Sequence, residues 1–429
     1  MNVKILPGFL NGSVKAIPSK SQAHRALICA ALSDRQTFIE CEGESKDITA
    51  TAACLSALGA NVTRSNGGYT VQPVKPVQNS NIVSLPCGES GSTFRFLLPV
   101  AGALGQKASF LPEGRLPQRP LSPLYEELVW HGQILSPQGS SPFCTEGKLK
   151  NGIYNIDAGV SSQFISGLLF ALPLLGGDSE IRLKGKIESF PYIELTMSML
   201  EKFGIKFSFF NMFFSIPGGQ KYISPGSVNI EGDWSNAAFW LTAGALNESS
   251  VACRGLDLKS AQGDRAVLYI LKQFGAQIET NGDTVTIFGA KKQTSHKLRG
   301  IEIDAGNIPD LVPVLAAAAC AAEGTTIIRS AERLRTKESD RLAAISSVLN
   351  ELGADVRVTD DGLIIKGGAA LKGGKVSSWG DHRIVMTAAV AAVICTEPVI
   401  ITDAEAVNKS YPGFFEDYKS LGGSVEIIN

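Results

Sequence analysis

Six times along this chain a Leu-x-x-x-Gly-x-x-apolar phrase recurs, with glycines at Gly59, Gly132, Gly204, Gly275, Gly353 and Gly422, spaced 73, 72, 71, 78 and 69 residues apart. Five phrases open with leucine (Leu55, Leu128, Leu200, Leu271, Leu349) and the sixth with Tyr418. Each reads as a helix ended by a left-handed glycine and followed by a strand. In phase with them, polar residues open apolar helix-like runs at Ser21, Ser92, Ser162, Ser235, Asp310 and His382, spaced 71, 70, 73, 75 and 72 apart. A period near seventy is too long for a solenoid and long enough for two helices and several strands, so one α/β unit used six times is expected.

At 429 residues the chain exceeds what one core comfortably serves. Six units divide as three plus three. The run Ile216–Val228, with Pro217, Gly218, Gly219, Pro225 and Gly226, falls between the third and fourth units, and a second crossing is expected near Ile17-Pro18. The expected layout is therefore a discontinuous domain (1–18 and 227–429) and a continuous one (19–226). The strand-like Val3–Leu6 would complete the C-terminal half. The expected fold is α/β, a two-domain inside-out α/β barrel of six repeated units, three per domain, with buried parallel helices and the sheets outside.

Hydrophobic residues make up 44% of the chain, charged residues 19%, and the formal net charge is −1, which excludes an overall bias toward nucleic acid or membrane. The longest apolar stretches, Leu311–Ala322 and Ile384–Cys395, fall short of the roughly 20 residues that a membrane span needs. The segment Met1–Lys15 is broken by Pro7, Gly8 and Gly12, so no signal peptide is expected. Eight cysteines without a C-x-x-C pair read as buried reduced thiols of a cytoplasmic protein, and no metal site or cofactor is expected.

Any anion-binding function must come from local clustering. Taken singly, each polar helix start is ordinary N-capping. If three units pack around a pseudo-threefold axis, however, the helix N-termini of each half converge with unpaired N–H groups and positive dipole ends on one face, which suits an anion. The segment Arg333–Arg341 packs Arg333, Arg335, Lys337 and Arg341 beside Glu338 and Asp340. Alone it could be a salt-bridged helix start. Its company shifts the reading, since Lys20, Arg25, Arg95, Arg119, Arg383 and Lys409 stand at or just beyond other helix starts. Arginine there can grip a carboxylate or phosphate with two parallel hydrogen bonds.

Ser19-Lys20-Ser21 through Arg25, Gly91 between serines, Gln118-Arg119-Pro120, Ser161-Ser162-Gln163, Pro309-Asp310, Lys337-Glu338-Ser339-Asp340-Arg341, Asp381-His382-Arg383 and the run from Lys409 to Phe415 stand in the order and spacing of one family. Over almost its whole length the chain resembles the 5-enolpyruvylshikimate-3-phosphate synthases. The resemblance implies transfer of the enolpyruvyl group of phosphoenolpyruvate to the 5-hydroxyl of shikimate 3-phosphate, with release of phosphate, by a monomeric target of glyphosate. It implies that Lys20, Ser21, Arg25, Ser161, Ser162, Gln163, Ser189, Tyr192, Asp310 and Lys337 contact shikimate 3-phosphate. Phosphoenolpyruvate would be held by Lys20, Gly91, Arg119, Gln163, Arg341, Arg383 and Lys409. Asp310 and Glu338 would be the acid/base pair, with Lys20 beside them, in a cleft between the domains.

Two positions depart from the family pattern: Glu89 stands where many members have Asn, and Arg333 where some have Asn. The alternative is a UDP-N-acetylglucosamine enolpyruvyl transferase, which carries a cysteine in the loop corresponding to Leu111–Arg119. That loop holds none here.

Overall fold

The computed structural model describes residues 1–75, 81–289 and 297–428, and within them the strands form six open four-stranded sheets and no closed barrel. One unit shows the pattern. Strand Val83–Gly88 leads through helix Gly91–Ala103 to the parallel strand Ala108–Pro112, then through helix Leu124–Trp130 to the hairpin strands Ile134–Leu135 and Phe143–Glu146. A parallel pair needs a crossover while an antiparallel pair needs only a turn, so the first helix is obligatory in such a unit.

The other sheets repeat this order, and in three of them one strand comes from a distant part of the chain. Ser227–Asn229 pairs parallel with Thr37–Glu40, and Gly12–Lys15 pairs parallel with Ser250–Arg254. Asn2–Leu6 lies antiparallel between Val399–Thr402 and Ser424–Ile428, so the strand-like N-terminus joins the last unit. The chain divides into two compact units, Met1–Ile17 with Glu231–Asn429, and Pro18–Ile230. The division after the third unit falls at Ile230–Glu231, just beyond the Pro/Gly run Ile216–Val228, because Ser227–Asn229 belongs to the sheet of Thr37–Glu40.

All six phrase glycines have positive φ, from +75° at Gly204 to +105° at Gly275, and each sits between a helix and a strand. An L side chain there would be strained, which explains glycine at the one fixed position of the repeat. The polar helix starts are also real, but shifted. The caps are Ser19, Ser90, Ser161, Asp233 and Asp381, each one or two residues before the position that opens the apolar run, and each side chain accepts a first-turn N–H. Asp310 is the exception. It lies within the 3-10 turn Pro309–Leu311, ahead of helix Val312–Ala321, rather than at a helix cap.

Each unit has its own core. In the C-terminal unit, helices Trp234–Ala245, Val312–Ala321 and His382–Ala391 touch one another and are buried almost all round. In the N-terminal unit, Gly91–Ala103 and Ser162–Ala171 make the most extensive helix contact. Pro99 lacks the N–H that would bond the Arg95 carbonyl four residues back, and that carbonyl is turned toward Gly167, where an added Cβ would lie 2.4 Å from it. The two helices can approach this closely only because residue 167 has no side chain. The same two helices carry Arg95 and Gln163 near their starts.

All eight cysteines are free; seven are buried and Cys144 is partly so. Among the described residues no helix is long and apolar enough to cross a membrane.

Candidate functional site

In the N-terminal unit most of the predicted residues gather at the starts of four helices, Lys20–Ala31, Gly91–Ala103, Ser162–Ala171 and Phe190–Lys202. Ser19 caps helix Lys20–Ala31, and its second turn carries Arg25, which is almost wholly buried. The Arg25 guanidinium donates to Thr196 Oγ1 (2.8 Å), the Ser21 carbonyl (2.7 Å) and the Tyr192 carbonyl (2.7 Å), and lies 5.1 Å over the Phe96 ring. Burial lowers its pKa to about 10, opposed by the nearby Tyr192 and Cys29. Arg25 thus fixes Ser21 against the start of helix Phe190–Lys202, where Ser189 holds a left-handed backbone (φ +56°) rare for a residue with a side chain. Lys20 reaches Asp47 at 2.8 Å. Asp47 is a partner that the sequence reading passed over, although it stands in the first turn after the capping Ser45.

Gly91 opens the helix capped by Ser90, and its missing side chain has a measurable consequence. A Cβ there would come within 2.8 Å of Arg119 Nη1 and 3.0 Å of Arg95 Nη1. Two guanidinium groups therefore crowd a helix N-terminus, a concentration of positive charge suited to an anion. Arg95 donates to Gln163 Oε1 (3.0 Å) and to the Pro120 carbonyl (2.9 Å), and Gln163 Nε2 donates to Ser92 Oγ (3.0 Å). Ser161 caps the helix that begins at Ser162 and accepts the Gln163 N–H. Glu89 is exposed and lies along Gly114, at a position where a Cβ on that glycine would meet its carboxylate.

In the C-terminal unit the acidic and basic residues are interlocked. Arg341, almost wholly buried, donates from Nη1 to Asp310 Oδ1 (2.9 Å), from Nη2 to Glu338 Oε2 (2.8 Å) and from Nε to Asp381 Oδ2 (2.8 Å). Burial alone would lower its pKa, but Asp381, Glu338 and Asp310 raise it above the ordinary arginine value. Arg383 grips Asp310 from the other side, Nη2 to Oδ2 at 3.0 Å and Nη1 to its backbone carbonyl at 3.0 Å. Lys409 Nζ stands 3.5 Å from Glu338 Oε1. Lys337 follows the 3-10 turn Glu332–Thr336, and Arg333 donates to the Gly306 carbonyl (2.9 Å).

Burial works to raise the pKa of Asp310, yet Arg383, Arg341 and Lys337 overcome it and hold the carboxyl well below 3.8, against a smaller opposing effect of Glu338. Asp381, read from sequence only as part of a helix start, caps His382–Ala391 through the Arg383 N–H and also accepts from Ser339 (3.1 Å). Asp264 carried no sequence signal at all. It is buried in the turn Gly263–Ala266, where burial and the charge of Asp310 push its pKa up to about 7, opposed by Arg383. Among the described residues no group of His, Cys, Asp or Glu is arranged to hold a metal ion.

Residues 6–418 match the family model described as EPSP synthase (3-phosphoshikimate 1-carboxyvinyltransferase). The 3-phosphoshikimate 1-carboxyvinyltransferase of Clostridium kluyveri is 46% identical over 433 residues, covering 99% of this chain and 98% of that protein. The enzyme of the same name from Clostridium acetobutylicum is 44% identical over 436 residues, covering 99% and 98%. Among solved structures, EPSP synthase from Acinetobacter baumannii superposes with a TM-score of 0.83 at 26% identity, covering 100% of both chains. The enolpyruvyl transferase NikO from Streptomyces tendae, at 18% identity over 99% and 98%, shares the fold with a TM-score of 0.81. The chain belongs to the EPSP synthase family.

Proposed function

We propose that this protein transfers the enolpyruvyl group of phosphoenolpyruvate to the 5-hydroxyl of shikimate 3-phosphate, releasing phosphate; its relatives are named 3-phosphoshikimate 1-carboxyvinyltransferases, which supports this reading. The observation that carries the site assignment is the clamp on Asp310, a carboxylate bound on both oxygens by buried arginines. We assign Lys20, Ser21, Arg25, Ser161, Ser162, Gln163, Ser189, Tyr192, Asp310 and Lys337 to shikimate 3-phosphate. Arg25 contributes by holding Ser21 and the start of helix Phe190–Lys202. We assign Lys20, Gly91, Arg119, Gln163, Arg341, Arg383 and Lys409 to phosphoenolpyruvate. The six sheets represent one repeated unit in an inside-out arrangement. The enzyme works as a cytoplasmic monomer.

The clamp suggests how the carboxylates come into play. Arg341, Arg383 and Lys409 are already engaged by Asp310 and Glu338. An arriving phosphoenolpyruvate competes for those cations, and each one it draws off returns proton affinity to a carboxylate. Asp310 then accepts the proton of the 5-hydroxyl as its oxygen bonds to C2 of phosphoenolpyruvate, while Glu338 delivers a proton to C3. The tetrahedral adduct collapses with cleavage of the bond between C2 and the phosphate oxygen. Loss of one proton from C3 to a carboxylate of the Asp310–Glu338 pair restores the double bond. Charge accumulating on the phosphate is met by preorganised arginine, lysine and helix N-termini.

The UDP-N-acetylglucosamine alternative is not favoured by the family to which the chain belongs. Phosphate release from phosphoenolpyruvate should require shikimate 3-phosphate and should not occur with UDP-N-acetylglucosamine as acceptor. The reverse preference would overturn the assignment.

A further inference from the structure

A chain of buried side chains joins two of the helix starts in the N-terminal unit, and none of its members has a role in the reaction as proposed. His24 Nδ1 is 2.7 Å from Thr51 Oγ1, which is 2.6 Å from Thr93 Oγ1, which donates to Ser90 Oγ at 2.7 Å. All four side chains are at most 1% exposed. His24 lies one turn beyond Lys20 and next to Arg25, in the helix assigned to shikimate 3-phosphate. Ser90 caps the helix that opens at Gly91, where Arg95 and Arg119 crowd the N-terminus. Thr51 belongs to the intervening helix Lys46–Ala57, which also carries Asp47, the partner of Lys20.

Counting donors fixes the direction of the chain. A threonine hydroxyl has one proton to give. Thr93 gives its proton to Ser90 at 2.7 Å, the nearer of its two acceptors, the other being the Asp47 carbonyl at 3.5 Å; in either case it must accept from Thr51. Thr51 has then spent its own proton and must accept from His24, which places a hydrogen on Nδ1. The other ring nitrogen, Nε2, is buried and has no hydrogen-bond partner among the described residues, so it bears the lone pair. An orphaned acceptor is easier to tolerate in a core than an orphaned N–H, which agrees with that direction.

We propose that His24 is a positioning residue, held as the Nδ1–H tautomer, whose donor chain through Thr51 and Thr93 sets the capping hydroxyl of Ser90 and so couples the shikimate 3-phosphate helix to the phosphoenolpyruvate end of the site. The electrostatics agree. Burial pushes the imidazole down to about 3, with Asp47 opposing and Lys20 and Arg25 reinforcing, so the ring stays uncharged through the physiological range. The coupling role rests on the proposed function; the tautomer does not.

Two measurements on the full-length protein separate those claims. In nitrogen-15 spectra of histidine-labelled protein, the His24 signal, identified by its loss in His24→Asn, should show a protonated Nδ1 and an unprotonated Nε2. A protonated Nε2 would overturn the chain whether or not the protein is an enzyme. In steady-state assays, His24→Leu and Thr51→Val should each raise KM for phosphoenolpyruvate about 3- to 30-fold, the usual effect of breaking one buried hydrogen bond, with a much smaller change in kcat. Asparagine can present an N–H where Nδ1 stands, so His24→Asn should restore most of the wild-type KM. The double variant should be no worse than the more impaired single variant. Wild-type turnover with both single variants at the wild-type KM would overturn the coupling role, whereas no wild-type turnover would overturn the functional reading instead.

Discussion

Arg383 holds Asp310 at two points, its Nη2 3.0 Å from the Oδ2 atom and its Nη1 3.0 Å from the backbone carbonyl of the same residue. One guanidinium thus fixes both the charge and the main chain of the turn Pro309–Leu311. Arg341 closes the clamp from the other carboxylate oxygen.

The clamp makes stability depend on acid. In the folded protein the Asp310 pKa lies well below its ordinary 3.8, burial being outweighed by Arg383, Arg341 and Lys337. The unfolded chain therefore binds the proton first, and the contribution of the clamp is fully present above pH 3.8 and fades as pH falls below it. Urea unfolding should show the largest gap between wild type and Asp310→Asn at neutral pH, narrowing in strong acid. A gap that widened below pH 3.8 would contradict the clamp.

Asp264 should behave in the opposite sense. Its folded pKa is pushed up to about 7, chiefly by burial and then by Asp310, so between 3.8 and about 7 the folded state keeps a proton that the unfolded chain has lost. Stability at this position falls as pH rises through that window. Asp264→Asn, which cannot ionise, should gain stability relative to wild type on going from weakly acidic to weakly alkaline solution. Parallel unfolding curves across the window would show that Asp264 does not titrate there.

Gly91→Ala should impair phosphoenolpyruvate more than shikimate 3-phosphate. The new methyl would meet Arg119 Nη1 at 2.8 Å and Arg95 Nη1 at 3.0 Å, forcing at least one guanidinium to move. KM for phosphoenolpyruvate should rise by about tenfold or more, as expected when roughly 1.4 kcal/mol of binding is lost. Inhibition by glyphosate, if it competes at the same place, should weaken as well. Unchanged constants for both would mean that the arginines give way without consequence.

Gly167→Ala tests the close helix contact. A Cβ 2.4 Å from the Arg95 carbonyl and 3.0 Å from Pro99 would push the helices apart, at a cost of about 1–3 kcal/mol for overpacking. Chemical denaturation reads that loss directly. A variant as stable as wild type would mean that the contact is not tight.

The helix ends at the recurring glycines were legible because that position, between a helix and a strand, is under a backbone constraint that almost no other residue satisfies. The helix starts were legible to within two residues, since several serines in a row can each serve as cap and only packing decides which one does. The charged motifs marked Arg341, Glu338, Arg383 and Asp310 by their types. That Arg341 and Arg383 grip the two oxygens of Asp310 could not be read from residues 31 and 73 positions apart. Asp264 and the chain from His24 to Ser90 stayed hidden for a similar reason. A lone aspartate after Gln-Gly, or scattered threonines, look like any turn or helix surface until the fold buries them beside a charge or a second hydroxyl.

The central claim is that Asp310 and Glu338 move protons in the reaction and do more than bind. Steady-state kinetics of Asp310→Asn and Glu338→Gln with phosphoenolpyruvate and shikimate 3-phosphate tests it most directly. Each should lower kcat by about 10²- to 10⁴-fold, the usual contribution of a general acid or base, with much smaller changes in KM. Losses confined to KM, with kcat near the wild-type value, would contradict it.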